Sequence, residues 1–350
     1  MPIWVTMGAA VTAMIIAGLG GLWLIPFLHK IHFGQTILDI GPAWHKSKQG
    51  TPIMGGFLFI VGSVLAVVIG YTSWRMFGGA DPTAPATTKN AMRLLAVMLF
   101  SMLFSAIGFA DDYIKAVKKQ NLGLNAKQKM AAQLVLSIAL LGILYALGDR
   151  ETTIDLIFWQ VDFGILYYPI MVAFIIYISN AVNLTDGVDG LCGTVTVVAM
   201  LCMTVICATF KQLELSLYAM TIAGGCLGFL VWNLHPAKCF MGDTGSMYLG
   251  GAFAALGIAC RMHLLLALVG MVYVLDAFSV VLQVSYFKFT ARQHYKKTGE
   301  KGVGKRIFKM SPIHHHFEMC QWSEYKIVVV FSLVGLVCGL LAVCKVMFSA

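Results

Sequence analysis

The chain has 350 residues, 59% of them hydrophobic and only 12% charged, with a formal net charge of +9. Ordinary soluble domains hold about 25% charged and about 45–50% apolar residues. A soluble enzyme, a disulfide-framed secreted scaffold and a disordered chain are therefore excluded. The apolar excess falls in runs long enough to cross about 30 Å of hydrocarbon at roughly 1.5 Å per helical residue. That pattern predicts an all-α, polytopic membrane protein.

In chain order, hydropathy places ten spans at 3–28, 53–73, 91–110, 128–147, 165–182, 190–209, 213–233, 245–260, 264–287 and 325–347. The first is uncharged until His29 and lacks the basic leader of a cleavable signal peptide. Thr51-Pro52 is expected to cap and open the second span. Gly78-Gly79, Asp81-Pro82 and Pro85 break the chain before the third, and Asn125 can cap the fourth. The eighth is short and Gly-rich. No internal repeat appears and no loop holds a soluble domain, so 1–350 reads as a single integral-membrane domain. The nine cysteines include no C-x-x-C pair and lie mostly in apolar runs, so they read as packed or lipid-facing side chains.

Ten spans put both termini on one side. The loops after odd-numbered spans, about 29–52, 111–127, 183–189, 234–244 and 288–324, hold sixteen of the 25 Lys and Arg residues. The opposite side holds six, and three lie just inside spans. The positive-inside rule makes the odd loops cytoplasmic and turns both termini outward. It also accounts for the net charge without nucleic acid. The basic stretch from about 290 to 312 reads as a juxtamembrane surface segment or as simple topogenic charge.

Only sixteen residues are acidic, and their placement is lopsided. Asp111-Asp112 close the third span in Gly-Phe-Ala-Asp-Asp-Tyr-Ile-Lys. Asn183, Asp186 and Asp189 fill the tight connection Asn-Leu-Thr-Asp-Gly-Val-Asp-Gly. Asp243 opens the eighth span in Phe240-Met-Gly-Asp-Thr-Gly-Ser246, and His314-His315-His316-Phe-Glu318 lies in the last long loop. All four motifs fall in odd-numbered loops, hence on one face. Several carboxylates at separate helix ends, without Cys or His at ligand spacing, suit Mg²⁺ better than zinc. A Gly-Asp-Thr-Gly-Ser helix start offers N–H groups to an anion. Together they suggest phosphoryl transfer from a soluble diphosphate to a lipid phosphate. Taken singly, each motif also reads as a solvated helix end, a turn or a cap. Lys48, beside Thr51-Pro52, can hold a phosphate or merely accompany a helix cap. Asp276, well inside the ninth span, costs on the order of 2.5–3.5 kcal/mol and should face a polar partner.

These motifs resemble the phospho-N-acetylmuramoyl-pentapeptide transferase family, within the polyprenyl-phosphate N-acetylhexosamine-1-phosphate transferase superfamily. The likeness runs from about Lys48 to Glu318, and Pro312-Ile-His-His-His-Phe-Glu318 is its most specific element. It implies Mg²⁺-dependent transfer of phospho-N-acetylmuramoyl-pentapeptide from UDP to undecaprenyl phosphate in a bacterial plasma membrane, giving lipid I and UMP. It implies an acidic centre of Asp111, Asp112 and Asp243, with Asp243 as direct metal ligand beside Asp186 and with His315 over the reacting groups. Asn183, Asp186 and Asp189 would line the nucleotide side. Lys48, Asn233 and Phe240 would hold the uridine. Gln283, His314, His316, Lys127 and Lys129 would contact the diphosphate or sugar. The family commonly carries Glu where this chain has Asp276, and a side chain one methylene shorter moves the charge about 1.5 Å. Asp276 is therefore left out of the expected site. The outer helices leave room for a homodimer. The rival readings are a sister enzyme using UDP-GlcNAc, against which the histidine loop argues, and an ion-coupled transporter or lipid flippase. A transporter predicts carboxylates strung through the membrane depth, and a flippase needs a polar cluster facing outward.

Overall fold

Inside a bilayer the backbone must satisfy its own N–H and C=O groups, and a long apolar run does so as a helix. A computed structural model describes residues 1–31, 34, 48–77, 85–118, 123–156 and 159–349. Its helices are α1 (Ile3–Lys30), α2 (Gly56–Phe77), α3 (Pro85–Lys118), α4 (Ala126–Ala146), α5 (Tyr167–Leu184) and α6 (Leu191–Thr209). They continue as α7 (Leu213–Asn233), α8 (Gly242–Ala259), α9 (His263–Val269), α10 (Met271–Thr298), α11 (Ile313–Glu318) and α12 (Glu324–Ser349). Among the described residues nine helices are long and apolar enough to cross a membrane: α1 to α7, α10 and α12. The eighth expected span also forms a helix, α8, whose polar opening Gly242-Asp243-Thr244-Gly245-Ser246 sets it apart from the nine. It packs against α2, α3 and α5 and is buried from Thr244 to Ala259. Large apolar side chains such as Leu19, Trp23, Ile138, Leu333 and Val337 are exposed on α1, α4 and α12, a surface suited to hydrocarbon.

Several boundaries differ from the sequence reading. Helix α3 runs past Asp111-Asp112 to Lys118, so both carboxylates lie within a helix, with Lys115 one turn further on. Helix α2 starts at Gly56 rather than at Thr51-Pro52. The Pro52 carbonyl instead accepts from the Phe240 N–H at 2.8 Å, and the Gly55 N–H donates to the Phe240 carbonyl at 2.8 Å. This backbone clasp keeps the segment extended and ties it to the approach to α8. The break at Gly78-Gly79 and Asp81-Pro82 lies outside the described residues. Asn125 does cap α4, in a reciprocal capping box with Gln128. The ninth expected span is interrupted at Gly270, and its second half, α10, continues to Thr298. The all-helical reading also missed an antiparallel hairpin, β1 (Thr153–Asp155) with β2 (Gln160–Asp162), which places Ile154 opposite Val161.

The approach of α3 to α8 positions the site. A Cβ added at Gly108 would stand 2.0 Å from the Asp243 carbonyl oxygen, so only glycine lets the start of α8 press onto α3 there. Residues three and four positions along share a helix face, which brings Asp111 and Asp112 onto that contact.

Candidate active site

Asp112 is buried, and its carboxylate accepts three hydrogen bonds from the first turn of α8. The donors are the Asp243 N–H at 3.1 Å, the Thr244 N–H at 2.8 Å and the Thr244 hydroxyl at 2.7 Å. Asp112 therefore caps α8 from another helix. It satisfies donors that a helix start leaves unpaired and sets negative charge at the positive end of the dipole.

That cap fixes Asp243. Its Oδ1 accepts from Asn183 Nδ2 at 3.2 Å, and the same amide donates to Ser246 Oγ at 2.7 Å. Its Oδ2 pairs with Lys129 at 2.6 Å and with Lys115 at 3.2 Å. The same two ammonium groups hold Asp111: Lys129 lies 3.0 Å from Oδ1, and Lys115 lies 2.5 Å from Oδ2. Asp111 also accepts from the Leu124 N–H at 2.8 Å. Two carboxylates are thus bridged by two lysines. Oxygens of Asp111, Asp112 and Asp243 lie within 4.8 Å of one another. An all-oxygen donor set suits a hard divalent cation that keeps waters and takes substrate phosphates. The lysine ammonium groups already show cationic groups accommodated between Asp111 and Asp243. Lys127, by contrast, is exposed. It sits two residues, about 200° around the helix, from Lys129, so Lys129 is the lysine the fold delivers to the centre.

Asp186 is not one of those three carboxylates, but it feels two of them. Loss of hydration, then the charges of Asp243, Asp112 and Asp189, push its pKa up to about 8. A carboxyl raised above its unfolded value of about 3.9 stabilises the fold fully only below that value. The contribution falls as pH rises through about 8. Asp186→Asn removes this loss, so its melting temperature in metal-free detergent should exceed wild type by a margin that widens between about pH 5 and about pH 9. A margin independent of pH would mean that Asp186 is ionised throughout.

A second cluster gathers around the loop between α7 and α8. Lys48 Nζ lies 2.7 Å from Asp189 Oδ1 and 2.8 Å from Glu324 Oε2. His235 Nδ1 lies 3.1 Å from Asp189 and 3.2 Å from Glu324. The Ala237 N–H donates to Asp189 at 3.0 Å. Burial opposes the Lys48 charge, but hydrogen bonds and attraction from Asp189 and Glu324 outweigh it and raise the ammonium pKa. Asn233 accepts from the Gly190 N–H at 3.2 Å and donates to the Cys239 carbonyl at 2.9 Å. Phe240 is half-buried beside it. Lys48, Asp189, Asn233 and Phe240 thus come together around this loop. Sequence reasoning missed His235 and Glu324; their one available signal was that both fall in odd-numbered loops.

The last loop divides its polar residues between two tasks. The Gln283 amide is engaged by backbone: Oε1 accepts from the Ile307 and Phe308 N–H groups at 3.0 Å, and Nε2 donates to the Phe308 carbonyl at 2.9 Å. His316 Nδ1 accepts from the Lys309 N–H at 3.1 Å. These two side chains hold the loop. His314 and His315 turn inward instead. His314 Nδ1 lies 3.0 Å from Asp276 Oδ2, and His315 Nδ1 pairs with Glu318. Asp276, left out of the expected site, therefore touches it. A Cβ at Gly187 would stand 2.3 Å from His314 Nε2 and 3.1 Å from His315 Nε2, so both rings rest against the Asp186-Gly187 turn. Gly187→Ala must displace them. With misplacements near 1 Å costing about 10²-fold, its turnover in an initial-rate assay should fall by about that factor while the protein stays folded.

Comparison with known proteins places this arrangement. A model of glycosyl transferase family 4 matches residues 94–261. A phospho-N-acetylmuramoyl-pentapeptide-transferase of Listeria monocytogenes serovar 1/2a is 41% identical over 350 residues, covering 99% of this chain and all of the relative. The chain belongs to this family. Members with the same name from Heliobacterium modesticaldum and Shouchella clausii are also 41% identical, over 97% and 91% of the chain. The family model spans Asp111, Asp112, Lys129, Asn183, Asp186, Asp189 and Asp243, while Lys48 and the histidine loop lie outside it and within the full-length match.

Proposed function

We propose that this family member transfers phospho-N-acetylmuramoyl-pentapeptide from its UDP carrier to undecaprenyl phosphate, releasing UMP and leaving lipid I in a bacterial plasma membrane. The observation that carries the reading is the lysine-bridged Asp111–Asp243 centre at the start of α8, beside the Asn183–Asp189 turn. In this reading α8 is a tenth crossing, both termini face outward, the site faces the cytoplasm, and a homodimer forms through the outer helices.

The nucleophile needs little activation. A phosphate monoester has its second pKa near about 6, so it is largely dianionic at neutral pH. What remains is to align two anions and neutralise them. Lys115 and Lys129 can turn their donors to substrate phosphate, and Asn183 keeps Asp243 in place. Lys48, Asn233 and Phe240 line the uridine side. Asp243 with Asp111 would hold Mg²⁺, which when bound offsets charge on the diphosphate and the departing UMP.

The test is UMP release by purified protein with undecaprenyl phosphate, offering UDP-N-acetylmuramoyl-pentapeptide and UDP-GlcNAc in parallel, with Mg²⁺ and with EDTA. Release from the muramoyl substrate alone, lost in EDTA, is the expected result. Release only from UDP-GlcNAc would reassign the substrate, and none from folded protein would sink the transferase reading.

A further inference from the structure

Asp276 and His314 are both fully buried, one in α10 and the other opening α11. Both carboxylate oxygens of Asp276 are directed at His314: Oδ2 lies 3.0 Å from the ring Nδ1, and Oδ1 accepts the His314 backbone N–H at 3.3 Å. Asp276 thus fixes both where the α11 backbone starts and how the ring turns. An imidazole whose Nδ1 faces a carboxylate carries a proton on that nitrogen, and its tautomer and orientation are set by that bond.

The other ring nitrogen is left over. His314 Nε2 is buried and has no hydrogen-bond partner. Such an atom costs free energy until a ligand group meets it. It faces Gly187, whose neighbour Asp186 feels the charges of Asp112 and Asp243. The adjacent ring repeats the plan, with His315 Nδ1 on Glu318 and Nε2 towards Gly187. Two carboxylate–histidine pairs therefore flank one turn, and the Asp276 pair is the more deeply enclosed.

We propose that Asp276 is a positioning residue for the transfer reaction, locking His314 so that Nε2 meets the sugar-diphosphate part of the substrate beside the Asp186-Gly187 turn. This rests on the transferase reading above. Asp276 does not itself touch the reacting atoms. An Asp is long enough for this role, because α11 begins directly on the Asp276 carboxylate.

The experiment compares wild type, Asp276→Asn, Asp276→Glu, His314→Gln and the Asp276→Asn/His314→Gln double variant in the full chain. It measures kcat and KM for the nucleotide substrate, together with melting temperature in detergent. Asp276→Asn keeps the shape but offers Nδ1 an amide. It should lower kcat by about 10²-fold, the cost of misplacing a substrate contact by about 1 Å, with KM changed less than about threefold. Asp276→Glu should recover at least about a tenth of wild-type kcat, and the double variant should be no slower than His314→Gln alone. A fully active Asp276→Asn would overturn the proposal. So would losses that multiply in the double variant, or a fall in melting temperature that tracks the loss of activity and is not relieved by Glu. Wild type run in parallel separates these outcomes from failure of the transferase reading, in which no variant, nor wild type, would release UMP.

Discussion

Asp243→Ala should abolish transfer, lowering kcat by about 10³-fold or more, as expected when a preorganised electrostatic group is removed from a transition-state site. The reason lies in how many partners converge on that carboxylate. Lys115, Lys129 and Asn183 all contact it, and it shares a donor set with Asp111 and Asp112. Its removal leaves two ammonium groups competing for Asp111, so the geometry proposed to hold the metal and face the phosphate is lost as a whole. The backbone N–H of residue 243, which Asp112 caps, survives the substitution. Folding should therefore be largely retained. The check is UMP release beside a detergent melting curve, with wild type in EDTA as the reference for a centre without metal. Retention of more than about a tenth of wild-type kcat would place the chemistry elsewhere.

Most of this centre was legible because charge is scarce in an apolar chain. A carboxylate in a membrane protein is costly unless used, and span parity alone sent all four motifs to one face. The structure brings Asp111, Asp243 and Asn183 together as that reasoning implied. What was not legible depends on helix phase and on contacts distant in sequence. Lys127 and Lys129 carry the same expectation of a diphosphate or sugar contact, and only the phase of α4 decides which reaches Asp243. Glu324 meets Lys48 across 276 residues, a pairing with no local signature. Gln283 and His316 have the polarity of substrate contacts, but the loop from Ile307 to Lys309 needs its backbone N–H groups satisfied and takes them. Thr51-Pro52 has the form of a cap, yet the pairing of Pro52 with Phe240 prevails over it.

The adjacent aspartates should separate under substitution. Asp111→Asn removes a charge that meets Lys115, Lys129 and the Leu124 N–H. An amide oxygen can still accept from two of these donors, so turnover should fall by about 10²-fold or more while the melting temperature stays near wild type. Asp112→Asn acts on the fold itself. Three donors from the start of α8 point at the Asp112 oxygens, and an amide must turn its NH₂ towards one of them. Hydrogen bonds to a charged acceptor contribute about 1.5–3 kcal/mol each, and a buried donor left facing another donor adds a desolvation cost. The loss should be on the order of 3–5 kcal/mol, together with the electrostatic complement to the α8 dipole. Since that turn carries Asp243, activity should collapse as well. The decisive readout is the pair of melting curves in the absence of substrate. Two neighbouring Asp→Asn variants that are equally inactive but differ clearly in melting temperature would assign Asp112 to holding α8 and Asp111 to the reaction. Equal melting temperatures would mean that the α8 cap contributes little, and both carboxylates would then share one role in the centre.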